Sequence, residues 1–404
     1  MRIAVVSPFV DRRHGTERAL AELLERLARD YRCEIHLFAQ RVEDLRVTPW
    51  VARRVRQQQA EEGVIFWHVV PALAGPLLLS FVAWCFLNRW SRRVFTFFRG
   101  GKFDLVLSPG INCLDADVVL VHAIFQRLHQ LSRENRDGDA AQGSGFRGLH
   151  RRAYYALLTR LERRIYTNPH VALAAVSRRT ATQLAMYFKR SDVRVIPNGV
   201  DITAFSRVRR LANRQAGREL RNLQQGDFVL LLIGNDWAVK GLATVLRAMA
   251  LVRDLPVQLM VVGSDAAAPF AEMAKALGVL DRCRWEEPGS QVLDFYAAAD
   301  IYVSPSREDS FGLPVAEAMA TGLAVITSSC AGVSTLIKDG IDGFVLDDPL
   351  DAQTLAKLFR LLHEQPALRE RIGSAAAETA LAWTWDAHAA AVWELLKSVA
   401  ATVR

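Results

Sequence analysis

Cysteine, lysine and long unbroken apolar runs are all scarce in this 404-residue chain, and each scarcity removes a class of protein. The five cysteines, Cys33, Cys85, Cys113, Cys283 and Cys330, are odd in number and widely spaced, with no Cys-x-x-Cys pair. That pattern argues against a disulfide scaffold and for a reducing, cytoplasmic compartment. The one transmembrane candidate is residues 63–88, uncharged over 26 residues. Pro71, Gly75 and Pro76 break it and leave an apolar helix of only 11 residues at Leu77–Leu87, so a buried strand, turn and helix is expected instead. Met1-Arg-Ile-Ala-Val-Val reads as a strand entering a loop, and no secretory leader is expected. No Gly-x-Ser-x-Gly elbow follows a strand, and the first strand lacks Gly-x-Gly-x-x-Gly, which disfavours serine hydrolases and nicotinamide dehydrogenases. His, Cys and Glu nowhere cluster at ligand spacing, so no metal is expected.

What is present fits two globular domains of about 200 residues each. Hydrophobic residues make up 51% of the chain and charged ones 23%, the balance of an ordinary folded protein. Only 7 of the 51 basic residues are lysine. Residues 1–200 carry 31 Lys and Arg against 18 Asp and Glu, a net +13; residues 201–404 carry 20 against 25, a net −5. A basic half beside an acidic one points to an anionic partner for the first.

Apolar strand-like runs alternate with amphipathic helical ones, the signature of parallel α/β sheets. Arg2–Ser7, Cys33–Ala39, Leu105–Ser108, Asp117–His122, Ala172–Val176 and Val193–Ile196 read as strands of a first domain. Phe228–Ile233, Val257–Val262, Arg284–Glu286, Ile301–Ser304 and Leu323–Thr327 read as strands of a second. The turn cluster Ile196-Pro-Asn-Gly-Val-Asp201 marks the linker, giving domains of 1–198 and 199–383. The polar stretch 133–146 reads as a loop.

The densest information lies in Ser304-Pro-Ser-Arg-Glu-Asp-Ser-Phe-Gly-Leu-Pro-Val-Ala-Glu-Ala-Met-Ala-Thr-Gly322. Pro314 suits the first helical turn, where its missing N–H costs nothing, and Gly322 stops the helix before the next strand. Glu308, Asp309, Ser310, Phe311, Gly312 and Leu313 thus precede or open a helix whose positive end stabilises a diphosphate, while Glu317 lies one turn in. A second loop, Gly234-Asn-Asp-Trp-Ala-Val-Lys240-Gly241, follows a strand; glycine lets the backbone approach a phosphate and Lys240 neutralises it.

These segments resemble the donor-binding signature of retaining glycosyltransferases with the GT-B fold, in the large family 4 group. The resemblance covers nearly the whole chain, strongly over 193–347. It implies two Rossmann-like, doubly wound parallel-sheet domains facing a cleft, with a terminal helix of about 384–404 crossing back onto the first. The family pattern has two glutamates seven residues apart. Glu317 takes the second place, which holds the nucleotide ribose. Asp309 falls in the first, which contacts the donor sugar, with Glu308 one residue out of register, so either carboxylate is available to reach it. Lys240 matches the family lysine that faces the diphosphate, whereas Asn235 stands where an arginine is usual; Arg178 or Arg179 is a compensating candidate. His122 is similar to the family histidine near the donor sugar, and Gly15 to a glycine near the phosphates and acceptor. The resemblance implies a hexosyltransferase that keeps the anomeric configuration, uses a nucleotide sugar, and needs neither cofactor nor divalent metal. Asp115-Ala-Asp117 looks like the Asp-x-Asp of metal-dependent glycosyltransferases of another fold, but it precedes a strand instead of ending one. The acceptor is expected to be a glycan or glycolipid of bacterial surface polysaccharide or lipopolysaccharide. The departures at Asn235 and Asp309 leave a non-catalytic nucleotide-sugar binder open, and the fold leaves an epimerase open.

Two basic helices complete the reading. Leu77–Phe98 ends with Arg89, Arg92 and Arg93 among Trp90, Phe95, Phe97 and Phe98; Phe146–Tyr166 carries six arginines. Arginines interleaved with aromatics suit an anionic membrane surface, so peripheral attachment through 77–98 and 146–166 is expected, with aromatics in the core and solvated arginines as the alternative. No nucleic-acid-binding module accompanies them, and nucleic acid is not expected as a partner.

Overall fold

The structure is a computed structural model that describes residues 1–49, 63–134, 146–289 and 291–403. The chain divides into two compact units, Met1–Pro197 with Trp385–Arg404, and Asn198–Thr384. Each is a parallel sheet with helices packed on it. Every strand pairing among the described residues is parallel, which explains why the central strands are near-continuous apolar runs: both faces are covered.

The first unit holds an eight-stranded sheet in the order Arg194–Val195, Ala172–Ala175, Val118–Val121, Leu105–Pro109, Arg2–Val6, Glu34–Ala39, Val64–Val69, Thr48–Pro49. One face packs under helix Gly15–Arg29 and terminal helix Trp385–Val403, around Leu20, Leu24, Val392 and Leu396. The other packs under Leu77–Phe95, Phe146–Tyr166 and Arg178–Phe188, around Trp84, Leu158 and Leu184. Residues 63–88 form a strand, a turn and a helix, and no helix among the described residues is long and apolar enough to cross a membrane. Of the stretch 133–146 read as a loop, Arg133 and Glu134 end helix Phe125–Glu134 and Phe146 opens the next; 135–145 lie outside the described residues.

The second unit holds a six-stranded sheet in the order Cys283–Glu286, Val257–Val262, Phe228–Ile233, Ile301–Ser304, Ala324–Ser328, Phe344–Leu346. The last strand was not expected: three residues give too short a period to read. Helix Arg207–Leu220 explains its own arginines. Arg210 donates to the Thr321 carbonyl, where a cation complements the end of helix Leu313–Ala320, while Arg214 and Arg218 hold Asp300.

Candidate active site

Strand order places the site. From Phe228–Ile233 the second sheet winds toward one edge, and from its neighbour Ile301–Ser304 toward the other. Winding reverses between these two strands, and ligands of doubly wound sheets sit beyond the carboxyl ends at that reversal. The loops leaving there are the Gly234–Gly241 loop and the 305–312 loop, both singled out by their residues.

The two loops interlock. Gly241 has φ +81°, and a Cβ on it would lie 2.1 Å from the Pro305 carbonyl oxygen, so only glycine fits. The Arg307 N–H donates to the Val239 carbonyl at 2.7 Å. Lys240 Nζ pairs with Asp309 Oδ2 at 2.5 Å, with side-chain exposures of 17% and 14%. Asp309 Oδ1 also accepts the Phe311 N–H at 3.2 Å, and the Asp309 backbone is bonded to Cys330 and Gly332 beyond the next strand. The pair is thus built into the sheet edge. Gly312, at φ +96°, caps helix Leu313–Ala320; its carbonyl accepts the Val315 and Ala316 amides, Pro314 has no N–H, and the Leu313 amide is the helical donor without an intrahelical acceptor. Glu317, one turn in, is 3% exposed and accepts a hydrogen bond from the Tyr296 hydroxyl at 2.8 Å.

Gly234, Asn235, Lys240, Glu308, Asp309, Ser310, Phe311, Gly312, Leu313 and Glu317 therefore gather in one unit. Three details differ from expectation. Asp309 is not an open carboxylate, because Lys240 and the Phe311 amide already hold it. That engagement also withdraws the Phe311 amide from the expected phosphate cradle. Asn235, which stands where an arginine is usual, has a role of its own: its Oδ1 accepts the Ser264 N–H at 2.9 Å, stapling its loop to the one after Val257–Val262. Tyr296 escaped sequence reading altogether, since it lies 21 residues before Glu317 in another helix; a buried tyrosine needing a partner is the only local signal.

The first unit carries the other candidates. His122 directly follows strand Val118–Val121, with Nδ1 3.2 Å from the Leu120 carbonyl. Gly15 is the first residue of helix Gly15–Arg29, and Asp11 ties the preceding turn by accepting from the Arg13 and His14 amides. Arg178 and Arg179 open helix Arg178–Phe188. Asp115 is bound to Arg92 at 2.5 Å and Asp117 accepts the Val106 N–H at 2.7 Å, so both acids of the Asp-x-Asp brace the fold.

A buried acid supports the turn after His122. Glu162 is fully buried and accepts the Phe125 and Gln126 amides at 2.7 and 2.9 Å, capping helix Phe125–Glu134. Burial pushes its carboxyl up to about 7, against the lowering effect of those two amides. Between its ordinary 4.5 and about 7, the folded chain binds the proton and the unfolded chain does not, so stability falls across that window as pH rises, by about 3 kcal/mol. Urea unfolding of the wild type and Glu162→Gln at pH about 5 and about 8 should show the stability difference between them changing by that amount. A difference indifferent to pH would reject the assignment.

Comparison with known proteins agrees with this fold. The family profile described as Glycosyl transferases group 1 matches residues 213–379, and that described as Glycosyltransferase Family 4 matches 13–204. Among curated relatives, a D-inositol 3-phosphate glycosyltransferase of Thermomonospora curvata is 34% identical over 214 residues, 48% of this chain and 49% of that protein. The chain spans about half the length of the curated relatives it matches. Among solved structures, WaaG, a glycosyltransferase involved in lipopolysaccharide biosynthesis, superposes with a TM-score of 0.74 at 18% identity, over 98% of this chain and 99% of that one. Anabaena Alr3699/HepE in complex with UDP-glucose superposes with a TM-score of 0.69 at 18% identity, over 98% and 100%. With both halves matched by the family and both sheets in its architecture, the chain belongs to the GT-B glycosyltransferases of the family 4 group.

Proposed function

We propose that the chain transfers a hexose from a nucleotide diphosphate sugar to a glycan or lipid-linked acceptor, retaining the anomeric configuration and using neither metal nor cofactor. The carrying observation is the convergence of Lys240, Asp309, the helix start at Gly312–Leu313 and buried Glu317 at the reversal point of the second sheet. Departure of the nucleotide leaves negative charge on the diphosphate, and an ammonium with adjacent amides stabilises it as it develops. Lys240 has three N–H donors, so it can keep Asp309 while binding a phosphate oxygen. The Glu317 carboxylate accepts from the Tyr296 hydroxyl, and in this reading it also accepts from the ribose hydroxyls of the nucleotide. The donor-sugar role is assigned to Asp309, with Glu308 buried beside it. An aspartate neutralised by Lys240 is a poor nucleophile, which favours sugar positioning over a covalent intermediate.

The ligand of Anabaena HepE supports the donor class, and WaaG's involvement in lipopolysaccharide biosynthesis supports bacterial surface glycan or lipopolysaccharide assembly as the setting. A cytoplasmic protein working on a lipid-linked acceptor takes an anionic membrane surface as its second partner. Transfer run in excess chelator, with the product's anomeric configuration read by NMR, tests the reaction. Activity should persist and configuration be kept. An inverted product, or activity abolished by chelator and restored by a divalent ion, would contradict the mechanism.

A further inference from the structure

Eight of the large apolar side chains most open to solvent lie within residues 69–98 of the first unit: Val69, Leu73, Leu77, Leu79, Phe86, Trp90, Phe97 and Phe98. Helix Leu77–Phe95 explains the pattern. Trp84, Cys85, Asn88, Arg92 and Phe95 recur at three- and four-residue spacing and are buried against the sheet. Leu79, Phe86, Trp90 and Arg93 recur at the same spacing on the opposite side, with Phe86 72% and Trp90 61% exposed. Phe97 and Phe98 continue the apolar surface, 82% and 72% exposed, in an edge-on pair with ring centroids 4.8 Å apart.

We infer that this face of residues 77–98 inserts into the interface of an anionic lipid bilayer, its aromatic side chains entering the acyl boundary while Arg93 and Lys102 meet lipid phosphates. The inference rests on the membrane partner proposed above, and not on the donor site. Charge selects the occupant. Residues 63–103 contain no Asp or Glu, while Arg89, Arg92, Arg93, Arg99 and Lys102 fall within them. A second copy of the same patch would bring like charges together, whereas an anionic surface complements them. The helix cannot leave the unit to span, because Trp84 and Arg92 anchor it: Trp84 Nε1 donates to the Asn112 carbonyl at 2.9 Å and Arg92 binds Asp115. It lies along the surface as interfacial helices do, with tryptophan and phenylalanine on one side.

This changes the expected mode of attachment. Arg92 is an internal strut and not a lipid contact, and the described side chains of residues 146–166 include no comparable apolar row. There Tyr154 packs edge-on against Phe81 and Tyr155 stacks on His129, leaving Arg160, Arg163 and Arg164 outward. Within the arginine–aromatic attachment expected, apolar insertion by residues 77–98 leads and charge assists.

The test is sedimentation of the full chain with vesicles of phosphatidylcholine alone and of phosphatidylcholine with phosphatidylglycerol in equal parts, at low and high salt. The wild type should bind the anionic vesicles more tightly and retain part of that binding at high salt. Phe86→Ser with Trp90→Ser should weaken it by about tenfold or more, as should Phe97→Ser with Phe98→Ser, with nucleotide affinity and melting temperature unchanged. Arg93→Glu should act on the anionic vesicles and not the neutral ones. Equal binding by wild type and both double variants would overturn the proposal. So would a concentration-dependent dimer of the wild type that Phe86→Ser with Trp90→Ser converts to monomer, which would assign the face to a second copy. Loss of nucleotide binding by Lys240 or Glu317 variants leaves this result untouched, so the two readings fail separately.

Discussion

Lys240→Ala is expected to weaken nucleoside diphosphate binding by about 2–3 kcal/mol, or roughly 30- to 150-fold. Two effects add. The variant loses the charge-assisted bond from Nζ to phosphate, and it strips Asp309 of its counter-ion beside the incoming diphosphate, turning a neutral pair into a repelling carboxylate. Asp309→Asn separates them. It keeps the shape and releases Lys240 from its partner, so diphosphate binding should be unchanged or tighter while sugar transfer falls. Calorimetry with the nucleoside diphosphate the wild type binds best decides the matter. Undiminished affinity in Lys240→Ala removes the lysine from the site. Equal losses in Lys240→Ala and Asp309→Asn would make the pair a structural brace, since both variants break the same interlock.

Glu317→Ala should weaken nucleotide binding by about 1.5–3 kcal/mol, the range for hydrogen bonds to a charged acceptor. Folding should survive, because alanine is the best helix former and the Tyr296 hydroxyl keeps the Pro314 carbonyl, 3.2 Å away, as an alternative acceptor. Tyr296→Phe leaves the carboxylate in place and removes the hydroxyl that donates to it and to the Pro314 carbonyl, so its loss should be smaller, about 1 kcal/mol. Calorimetry at matched pH gives the order. A Tyr296→Phe defect as large as that of Glu317→Ala would mean the two act through packing. Unchanged affinity in Glu317→Ala would reject the ribose assignment.

Much of the second unit's site was legible because it is local. Between Ser304 and Gly322 the chain must end a strand, turn and begin a helix, and Gly312, Pro314 and Gly322 each meet a backbone requirement that few other residues meet. The parallel α/β class was legible for a similar reason, since strands covered on both faces have to be apolar throughout, as Phe228–Ile233 is. Short elements were not. Strand Phe344–Leu346 has no period to detect.

Side chains whose role depends on a distant neighbour were the ones misread. Arg92 looks like any other arginine among aromatics, yet its position on the helix turns it inward onto Asp115, and Arg93 outward. Asn235 looks like a lost arginine, yet it bonds an amide 29 residues away.

The sequence by itself determined that this protein has two parallel α/β halves and that a loop and a helix start follow Ser304, because strand patterning and helix capping act within a few residues. Tertiary structure alone decided that Lys240 meets Asp309 across 69 residues, that Tyr296 reaches Glu317, and that Phe86 and Trp90 face solvent. Those outcomes follow from the order of strands in the sheet and from which face of each helix the core covers, and both are set by packing between segments whose separation along the chain leaves no local trace.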